Sequence, residues 1–229
     1  MRIAIGRCIS SLALLAIALF TLVTTAGATT IFLRSGNAPA GSADPQIRML
    51  ALPGGCGIGF PTAFTALDFA AADAGPQAVV ESFIHPAWSP TLSCDPSAQW
   101  IGTNAQASPQ TALFSQTFII PGPCCFTKAY MDFCWMVDDA LGDSVNPAGV
   151  YVNGVPVAAV AGGNFASTTF LGTIDVTALV HCGVNTLYVY DRDIGCAVSG
   201  VNYHAAFNLV DCITPTHGST WGAVKAIYR

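Results

Sequence analysis

From Trp100 to Val210, short apolar runs alternate with polar positions and turn residues, the two-residue period of half-buried strands. The runs recur at the spacing of an antiparallel sandwich. The pattern predicts strands at 113–120, 128–137, 149–152, 155–160, 169–174, 185–190 and 203–210. Asn153-Gly154 sits between two of them. A two-residue type I′ turn needs positive φ at both positions, so a tight hairpin is expected there. Asp175 can cap a single helical turn, and Gly183 then releases the chain into the next strand. Upstream, residues 30–34 and 46–51 read as outer strands. Thr65-Ala-Leu-Asp68 has the capping-box form ahead of a short helix that stops at Gly75-Pro76, and residues 77–83 resume β character. Pro86, Pro90 and Pro96 then break a long loop that carries Trp88 and Cys94.

The first residues hold Arg2 and Arg7, an apolar run over 9–23, and Ala26-Gly27-Ala28, which together predict a signal peptide at 1–28 and a mature start near Thr29. The run is shorter than the roughly 20 apolar residues that a helical membrane span requires. No membrane span is expected after cleavage. The expected organisation is one β-sandwich domain over 29–212, with N-terminal strands, a short helix and a loop over 29–98 and the core over 99–212. A tail follows at 213–229.

Removal of the signal leaves six Lys and Arg against thirteen Asp and Glu, a net charge of about −7. The cations are scattered singly, whereas a phosphate backbone needs them clustered, so nucleic acid is not an expected partner. Only 9% of residues are charged and 52% are hydrophobic. Strands buried on both sides, or an assembly interface, account for such a composition.

Eight cysteines remain in the exported chain: Cys56, Cys94, Cys124, Cys125, Cys134, Cys182, Cys196 and Cys212. An even count outside the cell predicts disulfides, with roughly a hundred pairings open. Their spread suggests bridges that tie the N-terminal segment and the last strand to the central sheets. No spaced Cys/His pairs form a zinc ligand set.

Gln99-Trp100-Ile101, the strand ending at Val137-Asp138-Asp139, the Tyr151-Val-Asn-Gly154 hairpin, Asp175-Val-Thr177 and Gly183-Val-Asn-Thr-Leu187 follow one another along the chain. On these motifs rests a resemblance to the galactose-binding-like jelly rolls of secreted bacterial proteins. It covers about half the chain. It implies an all-β antiparallel sandwich with one or two short helices, a glycan or other cell-surface partner, and a structural calcium whose ligands are not specified. This chain departs from the family in its many cysteines and in the loop over 140–148. The last ten residues resemble a C-terminal sorting-type tag, with Trp221, Lys225, Tyr228 and Arg229 its distinctive side chains.

No GxSxG, HExxH or P-loop is present, and His85, His181, His204 and His217 share no segment. No catalytic residue is therefore assigned. Candidate ligand contacts are Trp88, as an aromatic platform in its Pro-rich loop or else as closure of one end of the sandwich, and the acids Asp138, Asp139, Asp143, Asp191 and Asp193. Those acids offer hard oxygen donors for calcium, although Asp pairs after strands usually serve turns. The expected function is non-catalytic glycan or cell-surface binding through loops. A self-assembling subunit of an extracellular filament or layer stands second, and a secreted hydrolase third.

Overall fold

The alternating pattern resolves into twelve strands and one helix in the computed structural model, which describes residues 28–122, 126–159 and 162–211. In chain order these are β1 (Ala28–Arg34), β2 (Ala43–Ala51), α1 (Ala66–Ala74), β3 (Gln77–Val80), β4 (Ile101–Gly102), β5 (Ala112–Ile120), β6 (Phe126–Val137), β7 (Ala140–Leu141), β8 (Gly149–Val152), β9 (Val155–Ala159), β10 (Thr169–Asp175), β11 (Gly183–Arg192) and β12 (Val201–Asp211). Residues 1–27, with the signal segment, lie outside the described residues. So do Cys124, Cys125, Cys212 and the tail with Trp221, Lys225, Tyr228 and Arg229.

Every pairing is antiparallel. One path runs β10-β6-β12-β4-β3-β2-β5-β11-β8-β9, with β1 added on β12 and β7 on β11. It folds back on itself, so that one layer (β10, β6, β12, β1) faces the other (β2, β5, β11, β8, β9) and the short β3 and β4 bridge them. The result is a sandwich nearly closed into a barrel. Phe114, Phe118, Val150, Leu187 and Val189 of one layer meet Met131, Phe133, Trp135, Tyr203 and Phe207 of the other in the main core.

On β12, Tyr203, Ala205, Phe207 and Leu209 are buried while His204, Ala206 and Asn208 are half-buried on the outer face. In contrast, β5 over 112–116 and β11 over 185–191 are buried on both faces, and this accounts for part of the apolar composition. A second core lies over their outer side, where α1 and the preceding loop bring Phe60 and Phe69 against Leu113, Tyr151, Tyr188 and Tyr190.

Local signals explain the connections. Asp68 accepts hydrogen bonds from the Thr65 amide (2.8 Å) and hydroxyl (2.7 Å) and starts α1 as the capping box requires. Asn153 and Gly154 take φ of 51° and 78°, the left-handed pair of a type I′ turn. The turn after β10 stays a single one, with Asp175 Oδ1 accepting from the Thr177 amide and the Val180 amide reaching Val176 O. It adds no second helix, so α1 is the one helix among the described residues.

Two disulfides are defined. Cys56–Cys196 ties the loop after β2 to the β11–β12 loop, and Cys94–Cys134 ties the long loop after β3 to β6. Cys182 is also disulfide-bonded. No helix among the described residues is long and apolar enough to cross a membrane.

Candidate functional site

The acids singled out by their positions after strands do not stay together. Asp143 turns to the outer side of β11, where its Oδ2 accepts from the Tyr190 hydroxyl at 2.7 Å and its Oδ1 from the amides of Val145 and Asn146. It holds a loop against the second core. Asp138, Asp139, Asp191 and Asp193 converge instead at one end of the sandwich, where β6 leaves for β7 and β11 leaves for β12. Asp139 Oδ2 accepts from the amides of Ile194 and Gly195. Asp193 accepts from Gly57 N (3.2 Å) and Cys196 N (3.0 Å), fastening both sides of the Cys56–Cys196 bridge. These two carboxylates do the work of turns.

Trp88 is 4% exposed and offers no open ring. It stacks on Trp100, with centroids 4.3 Å apart, and donates its indole N–H to Asp138 Oδ1 at 2.6 Å. The long loop thus folds over the sandwich end and closes it, the structural role open to Trp88 from its sequence context. Burial is the main cause that lifts the Asp138 carboxyl to about 6, against the lowering effect of the Trp88 hydrogen bond.

Glu81, which its sequence context does not single out, is the central acid of this end. It directly follows β3, is 3% exposed, and neither carboxylate oxygen has a hydrogen-bond partner. A Cβ at Gly102 or at Gly200 would fall 2.5 Å from its Oε1, so both glycines leave the room it occupies. Asp191 is 1% exposed; Ser199 Oγ donates to its Oδ2 at 3.1 Å and its Oδ1 has no partner. Burial first, then the charges of Asp191 and Asp138, pushes Glu81 up to about 9, and burial raises Asp191 well above the usual carboxylate range. The one signal in the sequence is that Glu81 is the chain's single glutamate, placed straight after an apolar strand.

Among the described residues, Cys56, Cys196 and Asp193 also lie close enough to share an ion. The two sulfurs are joined to each other, so they supply no thiolate and this trio is not a metal site.

A different surface gathers aromatic rings. On the outer face of β1, β12, β6 and β10, Phe32 and Phe170 are each 63% exposed. Phe32 pairs across to Ala206 and Asp132, while Phe170 pairs to Cys134 and His204. A cleft of about 370 Å³ lies between β6, β10 and β12, lined among others by Asp132, Phe170, Thr173 and His204. Asp132 accepts from Thr173 Oγ1 (2.6 Å) and Asn208 Nδ2 (2.9 Å). His204 Nδ1 lies 3.0 Å from Asp95, which also binds Arg34 at 3.0 Å. A second hollow of about 480 Å³, beside Gln46, Arg48, Asp73 and Thr117, has no exposed ring.

No family model and no curated protein matches the chain. Among solved structures it is similar to a candidate β-galactosidase from Bacteroides fragilis (12% identity, TM-score 0.36, 79% of this chain and 23% of that one). It is also similar to the Arthrobacter globiformis T6 isomalto-dextranase complexed with panose (12% identity, TM-score 0.30, 80% of this chain and 33% of that one). The chain spans about 23% and 33% of the length of these two proteins. The expectation of a chain without catalytic activity is corrected at this point: both neighbours carry enzyme names, so the comparison gives a non-enzymatic reading no support, and it is withdrawn.

Proposed function

We propose that this chain is an exported, galactose-binding-like sandwich that binds a glycan on the outer face of β1, β12, β6 and β10. The observation that carries the reading is the pair of exposed rings, Phe32 and Phe170, on either side of His204 and Asp132. A pyranose presents an apolar C–H face and hydroxyl edges, so an open ring flanked by carboxylate and imidazole groups fits both of its surfaces. The two rings stand on strands three spacings apart, roughly 15 Å at the usual 4.8 Å between strands, a span for an oligosaccharide rather than one sugar. With Nδ1 of His204 turned to Asp95, Nε2 is left for a ligand hydroxyl. The two disulfides and the predicted signal segment support export.

The full exported chain on a glycan array, with calorimetry on retained sugars, tests the reading. Phe170→Ala and His204→Ala are each expected to weaken binding about tenfold or more, about 1.4 kcal/mol, with an unchanged circular dichroism spectrum. Retention of no glycan, or wild-type affinity in both variants, refutes it. Incubation of each bound glycan with the protein, followed by chromatography for shorter products, reads hydrolysis directly. Exposed Phe32 and Phe170 also favour the second reading, a self-assembling subunit. Ordered polymers that vanish in Phe32→Ala would establish that reading in place of glycan binding.

A further inference from the structure

We infer that Asp95 is the positioning residue of the outer face: it sets His204 and Arg34 for a ligand beside Phe170, and the Cys94–Cys134 bridge holds it in place to do so. The affinity part of this inference rests on the glycan reading, and the geometric part stands by itself. Phe170 pairs with Cys134, Cys134 with His204 and His204 with Arg34, so the four form one row across β10, β6, β12 and β1. Cross-strand partners share a face, and here it is the outer one.

The row needs setting. An imidazole on an open sheet face has two tautomers and several rotamers, and a half-buried arginine has more freedom still. Among the described residues, the sheet gives neither side chain a hydrogen-bond partner, whereas the buried Asp95 engages both. Its Oδ2 lies 3.0 Å from His204 Nδ1 and 3.0 Å from Arg34 Nε, while its Oδ1 accepts from the Ser97 amide at 3.0 Å. A carboxylate at Nδ1 selects the tautomer with its proton there, and Nε2 becomes an acceptor on the far side of the ring. Arg34, held at Nε, has its Nη groups left to meet a ligand. A loop turn alone would use Oδ1 and no more; Oδ2 serves the sheet. An acceptor nitrogen beside a set of donors suits adjacent sugar hydroxyls, each of which both gives and takes a hydrogen bond.

Asp95 belongs to the long loop between β3 and β4, so something must bring it to the sheet. Its neighbour Cys94 is bonded to Cys134, the member of the row between Phe170 and His204. Consecutive Cα atoms stand about 3.8 Å apart and adjacent strands about 4.8 Å, so one residue along the loop carries Asp95 roughly one strand across, from β6 to β12. Leu92 and Ala98 sink among Trp88, Trp100 and Met136 on either side, and the Ser93 amide donates to Thr168 Oγ1 ahead of β10 at 2.9 Å. Both cysteines line the cleft with His204 and Phe170, so the bridge is also part of its wall. Side chains set before a ligand arrives need no ordering at binding, worth about three- to tenfold in affinity for each.

The test uses the full exported chain labelled with the heavy nitrogen isotope, with His204 assigned by comparison with His204→Ala. At about pH 8.5, above the ordinary imidazole range, the two-bond proton–nitrogen spectrum reports the tautomer. Expected is the Nδ1-protonated form in wild type and a mixture in Asp95→Asn and in Cys94→Ala/Cys134→Ala. Asparagine at this position keeps the shape and the Ser97 hydrogen bond, so a role confined to the turn predicts an unchanged spectrum. On a glycan retained by the wild type, calorimetry should show both variants weakened about tenfold, with Cys56→Ala/Cys196→Ala unchanged as the control for loss of a bridge. An unchanged His204 spectrum in Asp95→Asn overturns the inference, and so does a changed spectrum with wild-type affinity. A double-cysteine variant that matches wild type in both readouts overturns the part given to the bridge; if that variant does not fold, Asp95→Asn decides alone. Retention of no glycan fails the glycan reading only, and the His204 spectrum then decides this inference.

Discussion

Asn153 joins more of this fold than a hairpin residue needs to. Its Oδ1 accepts from the Thr186 amide at 2.9 Å, and its Nδ2 donates to Leu179 O at 2.7 Å and to Asn185 Oδ1 at 2.8 Å. The β8–β9 turn is thereby bound to the turn before β11, while Asn185, itself buried, closes that turn on His181 and Gly183. Replacing Asn153 by Ala keeps a β-carbon at φ of 51° but removes the local side-chain hydrogen bonding by which asparagine tolerates that region, about 1 kcal/mol. It also strips the Thr186 amide and Leu179 carbonyl of partners, about 1–3 kcal/mol for a part-buried donor. The sum is about 3 kcal/mol, or a fall in Tm of roughly 6–12 °C for a domain of this size. Asn153→Gly removes the backbone strain and keeps the hydrogen-bond loss, so it should cost about two thirds as much. Urea unfolding followed by tryptophan fluorescence measures both. If Asn153→Ala lies within about 0.5 kcal/mol of wild type, or Asn153→Gly is as unstable as Asn153→Ala, the division between turn geometry and hydrogen bonding is wrong.

Two further outcomes follow from the same architecture. Cys56→Ala/Cys196→Ala opens a loop of 140 residues, for which chain entropy alone gives about 5 kcal/mol, with measured bridges nearer 2–4; guanidinium unfolding should show a loss in that range, and a loss under about 1 kcal/mol would mean that Asp193 and its amide contacts hold the two loops unaided. The phenols of Tyr188 and Tyr190 are raised by burial and then by their bonds to Asp73 and Asp143, Tyr151 is raised to about 12 by burial and Asp143, and Tyr203 is raised by burial. Above about pH 10 the unfolded chain releases protons that the folded chain retains, so stability falls as pH rises. Phenolate absorbance should therefore appear in step with loss of the near-ultraviolet dichroism; titration of these four near pH 10 with tertiary signal intact would contradict it.

The strands were legible because alternation over five or more residues has one physical reading, and Asn153-Gly154 and Thr65–Asp68 are local solutions to local problems. Two elements of two residues each, β4 and β7, carry too few positions to show any period. Trp88 was ambiguous for a different reason. A Pro-rich loop reads as solvent-exposed, but its burial depends on Trp100 and on a disulfide to Cys134, partners that only the fold brings near. Glu81 was illegible as a buried acid, since its neighbours Gly102 and Gly200 are far apart in the chain and a glutamate after a strand ordinarily meets water. Phe32 and Phe170 fall at outward positions of their strands. That much the alternation implies, but their placement on one face beside His204 requires the strand order.

Opposite ends of β12 have different neighbours. At its last residues Val210 faces Ala28, the first residue of β1, so the chain enters and leaves the sandwich side by side. Its first residue, Val201, lies against Ile101 and Val137, at the pole where the carboxylates gather. Nine residue steps separate the poles, about 30 Å of extended strand. A tether attached at either terminus would therefore grip one pole only. The carboxylate pole would point away from the anchorage, and the ring-bearing face would run along the side like the flank of a post.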